Sequence, residues 1–144
     1  MSIIKAFENA YRKKGERNWD KIYVFVDIHE TILYPTYSKD ETDGKFYPFS
    51  KETLIMLSER DDVSLGIYSC TSIKRLTKYL DFFRSHNIKF EHININNETK
   101  DTKYADFSQK PYFDVLIDDK AGFNGETDWA EISVYFKKRR NNDK

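Results

Sequence analysis

Apolar positions along the chain follow two periodicities, which predict helices that alternate with strands. The run Ile22–Val26 is apolar throughout and rich in β-branched and aromatic residues, which is typical of a strand buried on both faces. Residues 2 to about 14 instead repeat apolar positions at helical spacing and predict a helix that Gly15 ends. Three later apolar runs predict further strands, at residues 63–68, 88–95 and 112–117.

Helical patterns fill the segments between and after these strands. Ser50 is a candidate N-cap for a helix to about residue 60, and Thr71 or Ser72 can cap a second helix. Residues 129–136 are expected to form a final short helix. The second helix carries a stripe that is expected to face the core, formed by Ile73, Leu76, Leu80 and Phe83. Strands that alternate with helices predict a parallel sheet in a three-layer, Rossmann-like α/β fold with helices on both faces.

The length of the chain predicts a single domain over residues 1–144. Within it, residues 1–15 are expected to be an N-terminal helix, the turn-rich residues 32–49 a short flap after the first strand, and residues 137–144 a basic, solvated tail. The flap is too short to be a separate cap domain. Its aromatic residues can stack on a base or sugar or pack on the sheet edge, and they are Tyr34, Tyr37, Phe46 and Tyr47.

Composition narrows the function classes. The 24 basic and 24 acidic residues balance, which argues against a strongly basic nucleic-acid-binding protein. The single cysteine, Cys70, excludes an internal disulfide and a cysteine-rich zinc site, and it is expected to be a buried small side chain. The N-terminus has no apolar secretion-signal core, and no apolar run reaches the ~18 residues of a membrane span. We therefore expect a cytoplasmic protein with no membrane partner.

Polar residues follow three of the predicted strands. Asp27 ends the first strand, Ser69 follows the second, and the pair Asp118 and Asp119 follows the fourth. Because ligands bind at the carboxyl ends of the strands in an open α/β sheet, we expect these residues to share one pocket. Thr71 is an alternative to Ser69, since the pattern defines a strand end only to within a residue or two.

These residue types suit phosphoryl transfer. Carboxylates from different strands bind Mg²⁺ well, because this ion prefers hard oxygen ligands and keeps several waters for a substrate phosphate. A carboxylate beside such an ion can act as a nucleophile and form an acyl phosphate. A hydroxyl such as that of Ser69 and a cation such as Lys110 would bind the phosphoryl oxygens, with Lys100 and Lys103 as alternative cations.

Four motifs, in this order, resemble those of the haloacid dehalogenase superfamily. Asp-Ile-His-Glu-Thr at residues 27–31 resembles its first motif, Asp-x-Asp-x-Thr, and Ile-Tyr-Ser-Cys-Thr at residues 67–71 resembles its second. Lys110 stands where the third-motif lysine is expected, and Asp-Val-Leu-Ile-Asp-Asp at residues 114–119 resembles the fourth. The resemblance covers residues 22 to about 123, and the segment around the fourth motif looks especially like the small, capless members found in phages and bacteria.

The resemblance implies a role for each site residue. Asp27 would accept the phosphoryl group and bind Mg²⁺, and Asp118 and Asp119 would hold the same ion directly or through water. Ser69 would orient the transferring phosphoryl group, and Lys110 would neutralise its charge.

His29 departs from the family pattern, which has an aspartate at this position. In the family that residue binds the metal through its backbone carbonyl and serves as acid and base, and a histidine can carry out both proton transfers near neutral pH. Glu30 is a second candidate, although it points to the opposite side if the strand continues. The other histidines, His86 and His92, are expected at the surface or at helix ends.

The residues and the resemblance together predict a Mg²⁺-dependent phosphomonoester hydrolase that forms an aspartyl-phosphate at Asp27. An open, capless pocket favours a phosphorylated small molecule, a nucleotide or a phosphorylated macromolecule end over one enclosed metabolite. His29 also permits an alternative, a phosphatase-like module that binds or regulates without turnover. A third alternative, phosphatase action on nucleic-acid ends, is favoured by the basic tail and the aromatic flap.

Overall fold

The computed structural model describes residues 2–35, 44–94, 96, 99 and 111–139 of the chain. Four strands and four α-helices lie in this described part. In chain order they are α1 (Ile3–Arg17), β1 (Ile22–Val26), α2 (Ser50–Ser58), β2 (Val63–Ile67), α3 (Ile73–Ser85), β3 (His92–Ile93), β4 (Val115–Ile117) and, after a 3-10 turn (Asp119–Ala121), α4 (Asp128–Lys138).

The four strands form one parallel sheet in the order β3-β2-β1-β4. β1 lies between β2 and β4, so that Val26 pairs with Ile67 on one side and with Ile117 on the other. This register brings the carboxyl ends of three strands to the same edge of the sheet. Four helices flank the sheet, which confirms the three-layer, Rossmann-like α/β fold predicted from the sequence.

The core is built on β1, whose five residues are all buried. Helix α4 contacts both α1 and α2, and Phe7 of α1 meets Phe136 of α4 edge to face, with ring centroids 5.0 Å apart. Trp129, near the start of α4, is fully buried, and its indole Nε1 donates a hydrogen bond to the Thr31 carbonyl at 2.7 Å. The core is therefore bonded directly to the loop that follows β1.

Phe25 of β1 and Gly66 of β2 approach each other closely as register partners. A Cβ atom at position 66 would lie 2.7 Å from the Phe25 ring, so only glycine fits there without movement of the ring. The same ring stacks on His92 of β3, with centroids 6.0 Å apart. His92 is buried, with its Nε2 atom 2.9 Å from the Ser64 hydroxyl, so the expected surface position of His92 is wrong. His86 lies at the end of α3, as expected.

The end of helix α1 and the start of helix α2 differ from the sequence prediction. Helix α1 continues past Gly15 and ends at Asn18, whose φ of 57° places it in the left-handed region that commonly terminates helices. Gly15 therefore lies inside the helix. Ser50 is the first helical residue of α2 rather than its N-cap, because its hydroxyl donates to the Ile32 carbonyl at 3.2 Å.

Helix α3 confirms its predicted cap and corrects its predicted core stripe. The Ser72 side chain caps the helix by accepting a backbone N–H. Ile73 is 83% exposed, because it opens the helix and lies beyond the buried layer. Leu76 and Phe83 are buried as predicted, Leu80 is half-buried, and Tyr79, which the predicted stripe leaves out, is buried beside them.

Both edge strands are shorter than the apolar runs predicted. β3 pairs only two residues with β2, and Asn94 then adopts a left-handed φ of 58° that ends the strand. β4 starts only after Asp114, because the Asp114 side chain accepts the Tyr23 N–H at 2.8 Å where a strand backbone would otherwise bond. An edge strand is hydrogen-bonded on one side only. A side-chain hydrogen bond that replaces a backbone bond on that side is therefore enough to end the strand.

The flap lies only partly in the described residues. At its base Leu33 pairs with Phe46 in an antiparallel bridge. The rings of Tyr34 and Tyr47 stack with their centroids 3.9 Å apart, so these aromatic residues pack on each other beside the sheet. Outside the described residues lie 36–43, with Tyr37 among them.

The predicted tail begins inside a helix. Helix α4 extends to Lys138, so the first two tail lysines are helical, and residues 140–144 lie outside the described part of the chain. Residues 95, 97, 98 and 100–110 also lie outside it. Every helix in the described ranges is too short or too polar to cross a lipid bilayer.

Replacement of Gly66 by alanine is expected to lower the free energy of unfolding by about 1–3 kcal/mol, because the new Cβ atom would overlap the Phe25 ring. The measurement is urea unfolding followed by circular dichroism. Gly15→Ala is the matched control. Nothing lies within 4 Å of a Cβ at that position, and alanine is expected to stabilise helix α1 by about 0.5–1 kcal/mol. Equal effects of the two substitutions would contradict the close approach.

Candidate active site

The carboxyl edge of the sheet places three chain segments side by side. The Asp27 N–H donates to the Ile117 carbonyl at 2.9 Å, which holds the residue after β1 beside the end of β4. On the other side, the Tyr68 N–H donates to the Val26 carbonyl at 3.0 Å. Asp27 therefore lies between the segment that follows β2 and the segment that follows β4.

Three carboxylates meet at this edge. Oxygen atoms of Asp27, Asp118 and Asp119 lie within 4.8 Å of one another. The buried Thr31 positions one of them, because its hydroxyl accepts the Asp119 N–H at 3.1 Å and donates to the Asp119 carboxylate at 3.4 Å. The Asp118 carboxylate accepts the Lys120 N–H at 3.0 Å and thereby caps the 3-10 turn. The structure thus brings together the three acids that the sequence places at strand ends.

The three acids change one another's ionisation. Burial, and then the nearby charge of Asp118, raise the pKa of Asp27 to about 7. Burial also raises the pKa of Asp118. Burial acts in the same direction on Asp119, but hydrogen bonds from neighbouring carboxyl groups and from Thr31 lower the pKa of Asp119 below its usual value. The cluster therefore retains a proton near neutral pH.

The acid cluster fits a divalent cation. Asp27, Asp118 and Asp119 offer hard oxygen atoms within one ion's reach, and a double positive charge would relieve the repulsion that raises the pKa of Asp27. These three residues would hold Mg²⁺. The backbone carbonyl of His29, which the family resemblance adds as a ligand, stays a prediction.

Two hydroxyl groups follow β2 in the same pocket. The Ser69 N–H donates to the Asn94 side-chain oxygen at 2.8 Å, which fixes the end of β2 beside β3. The Ser69 hydroxyl donates to the Thr71 hydroxyl at 2.9 Å and accepts the Thr71 N–H at 3.1 Å. Both hydroxyls line the pocket of the acid cluster, so both remain candidates for orienting a phosphoryl group. Cys70, which was expected to be buried, is exposed and lines the pocket as well.

His29 lines the pocket, but its ring is bonded to helix α3. Its Nε2 atom lies 2.7 Å from the Tyr79 hydroxyl, and that hydroxyl accepts a hydrogen bond from Arg75 Nη2 at 3.2 Å. Because arginine can only donate, the phenol can donate its one hydrogen to His29 Nε2, which corresponds to the imidazole tautomer with its proton on Nδ1. Burial, and then the charge of Arg75, lower the pKa of His29. Both effects favour the neutral form of the ring.

Glu30 takes a position that corrects the sequence prediction. Its φ of 59° is left-handed, so the chain turns after His29 instead of continuing as a strand. The Glu30 carboxyl group lines the same pocket as that of Asp119 and helps to lower the pKa of Asp119. The expected orientation to the opposite side of the sheet assumed a continuing strand, and β1 ends at Val26. Two chemically different side chains, those of residues 29 and 30, therefore both reach the pocket.

The pocket at this edge has a volume of about 750 Å³. It is lined by Asp27, His29, Glu30, Tyr68, Ser69, Cys70, Thr71, Arg75, Phe113, Leu116, Asp118, Asp119 and Lys120. Sequence reasoning missed Arg75 and Lys120, and the one available signal was that Arg75 lies one helical turn before the buried Tyr79. The predicted phosphate-binding cations lie outside the described residues, namely Lys100, Lys103 and Lys110.

Comparisons with known proteins bear on the fold. No protein-family model matches this sequence, and no curated protein sequence matches it. The chain is similar to the solved structure of a conserved protein from Bacteroides thetaiotaomicron, with a TM-score of 0.63 and 25% sequence identity over 83% of this chain and 93% of that chain. That protein is described as a conserved protein, so the similarity supports the fold and carries no activity with it.

Replacement of Asp27 by asparagine is expected to stabilise the protein without Mg²⁺ above pH 7. The protonated carboxyl group favours the folded state, and this contribution is lost as pH rises from the unfolded pKa of 3.8 through the folded pKa of about 7. At pH 8 the gain is about 1–2 kcal/mol after allowance for solvent screening, or roughly 2–8 °C in Tm. Thermal unfolding in a chelator at pH 5 and pH 8 measures it.

Asp20→Asn is the control for this experiment, because Asp20 is exposed and precedes β1 at the opposite edge of the sheet. Its effect on Tm is expected to be small and the same at both pH values. A gain from Asp27→Asn that is equal at pH 5 and pH 8 would contradict a repulsive acid cluster.

Proposed function

We propose that this protein is a Mg²⁺-dependent phosphomonoester hydrolase of the haloacid dehalogenase type, with Asp27 as the phosphoryl-accepting nucleophile. The observation that carries the proposal is the convergence of Asp27, Asp118 and Asp119 at the carboxyl edge of the sheet, beside two hydroxyl groups. The resemblance of four ordered sequence motifs to those of the family, with the departure at His29, also supports it.

The chemistry proceeds in two displacements at phosphorus. A carboxylate oxygen of Asp27 attacks the phosphorus atom, and the bond between phosphorus and the ester oxygen breaks. Water then attacks the phosphorus of the aspartyl-phosphate, which releases inorganic phosphate and restores the carboxylate. Ser69 or Thr71 orients the phosphoryl group by donating to its oxygens. Asp27, Asp118 and Asp119 would hold Mg²⁺, which would supply the positive charge that favours the ionised form of Asp27 and neutralises the phosphate.

His29 supplies the proton for the leaving oxygen in this proposal. The tautomer that does this carries its hydrogen on Nδ1 and accepts the Tyr79 hydroxyl at Nε2. As the leaving oxygen takes the Nδ1 proton, the Tyr79 hydroxyl gives its own proton to Nε2, and Arg75 stabilises the resulting phenolate. The hydrolytic water returns a proton along the same path in the second displacement, which restores Tyr79.

The pocket suits several phosphorylated substrates. A volume of about 750 Å³ at an edge of the sheet accommodates a phosphorylated small molecule, a nucleotide or a phosphorylated macromolecule end. Action on nucleic-acid ends has the weakest support, because the described part of the predicted basic tail belongs to helix α4.

Hydrolysis of an aryl phosphate with Mg²⁺ tests the nucleophile. The native chain is expected to release phosphate, and Asp27→Asn to lower kcat by roughly 10³-fold or more, because an amide cannot form the acyl phosphate. Asp20→Asn, which removes an exposed carboxylate far from the site, is expected to retain full activity. No hydrolysis by the native chain at any pH between 5 and 9 would count against the proposal.

A second candidate function is a binding or regulatory module without turnover. The observation that favours it is the hydrogen bond between His29 and Tyr79, which leaves no free ring nitrogen to act as a base in the tautomer described above. In this alternative the three acids and the pocket would still bind Mg²⁺ and a phosphate group, but no hydrolysis would follow.

Substitutions at His29 separate the two functions. If His29 is the proton donor, His29→Ala lowers kcat by about 10²-fold for an alkyl phosphate, and much less for an aryl phosphate whose leaving group needs no proton. His86→Ala, at the far end of helix α3, is the control and is expected to change neither rate. The binding-module alternative holds if the native chain is inactive on both substrates and His29→Asp creates activity.

A further inference from the structure

Arg75 is a charged side chain in the pocket wall that has no acidic partner among the described residues. It lies in the first turn of α3 and lines the pocket that holds the acid cluster. Its Nη2 atom donates to the neutral Tyr79 hydroxyl at 3.2 Å, whereas its Nε atom is buried and has no hydrogen-bond partner in the described part of the chain. The guanidinium group is therefore incompletely satisfied.

Two other arginines of the chain each form an ion pair with an acidic side chain. Arg60 is paired with Asp62 at 2.8 Å, and Arg12 with Glu16 at 2.8 Å. A half-buried guanidinium without an anion loses hydration without regaining a charge partner, which is unfavourable unless a ligand supplies the anion. Five fixed donors also make arginine well suited to bind the oxygens of a phosphate.

We propose that Arg75 is the substrate-binding cation of this pocket and binds the non-bridging oxygens of the phosphate group. The inference rests on the proposed phosphomonoesterase function and adds a residue that the four sequence motifs do not contain. Tyr79 positions Arg75 for the phosphate, because its hydroxyl holds one nitrogen of the guanidinium, and the other N–H groups are left without an acidic partner among the described residues.

The histidine at position 29 is consistent with this role. A carboxylate at this position would lie close to Arg75, since His29 and Arg75 both bond to the Tyr79 hydroxyl. Such a carboxylate would pair with the guanidinium and compete with a phosphate for it. An imidazole holds Tyr79 by a hydrogen bond and offers no negative charge to Arg75.

Binding of inorganic phosphate in the presence of Mg²⁺, measured by isothermal titration calorimetry, tests the proposal without requiring turnover. Arg75→Ala is expected to raise the Kd for phosphate about ten- to hundredfold, the usual effect of losing charge-assisted hydrogen bonds. Lys74→Ala is the matched control, because Lys74 is an exposed cation in the same helical turn. It removes the same charge and is expected to change the Kd less than twofold.

Two further variants define the contact. Arg75→Lys keeps the positive charge and the helix but loses the planar guanidinium group, so its affinity for phosphate is expected to lie between those of the native chain and Arg75→Ala. It also keeps the test decisive if Arg75→Ala does not fold. Tyr79→Phe removes the hydroxyl that holds Arg75. In the same calorimetric titration it is expected to raise the Kd for inorganic phosphate, a quantity that does not depend on proton transfer through Tyr79. A purely structural role of Tyr79 would instead lower Tm and leave this Kd unchanged.

The outcomes separate this inference from the proposed function. If the native chain binds phosphate but hydrolyses no phosphomonoester, and Arg75→Ala weakens binding, the proposed function fails and the Arg75 site stands. If the native chain hydrolyses an aryl phosphate and Arg75→Ala and Lys74→Ala have equal Kd and KM values, the Arg75 site is overturned and the hydrolase stands. Absence of phosphate binding by the native chain overturns the Arg75 site.

Discussion

The repulsion among three carboxylates is the constraint on which the rest of this site depends. Asp27 cannot move away from Asp118, because its own N–H is bonded to the strand that precedes Asp118, through the Ile117 carbonyl at 2.9 Å. Asp119 is held in turn by Thr31. The sheet therefore keeps negative charges close together, and the chain can lower their energy only by retaining a proton or by binding a cation. Both responses make the edge of the sheet chemically active.

The pocket separates opposite charges over a short distance. The acid cluster attracts a metal ion, whereas Arg75 and Lys120 in the same pocket attract an anion. A phosphate group bound to a divalent cation presents both signs at once, so it complements this arrangement better than a simple anion or a simple cation does. In the proposed function, this complementarity would link the three acids to the choice of a phosphorylated substrate.

Most of the fold, and the acids of the site, could be predicted from local sequence patterns. The buried run Ile22–Val26 and the acids that follow two strands are adjacent in sequence, so periodicity and strand-end rules reach them. Strand lengths at the sheet edges were overestimated, because they depend on side-chain bonds such as that of Asp114 to the Tyr23 N–H across the sheet. Apolar runs carry no information about such long-range bonds.

The contacts of the pocket residues outside the acid cluster were harder to predict from the sequence. His29 and Tyr79 are 50 positions apart, and their bond depends on how α3 packs against the sheet. Arg75 belongs to a helix whose exposed face is also basic, so the sequence does not distinguish a pocket arginine from a solvated one. The turn at Glu30 depends on a left-handed backbone that the polar sequence after β1 permits but does not require.

One hydrogen bond described in the core extends to the chemistry. The Trp129 indole donates to the Thr31 carbonyl, and the Thr31 hydroxyl holds Asp119, so one residue joins the largest buried side chain to an acid of the site. Trp129 is therefore linked to the acid cluster through a single intervening residue. If the cluster holds a metal ion as proposed, the fluorescence of Trp129 would report its occupancy, and substitutions that alter the core at Trp129 would also alter the position of Asp119.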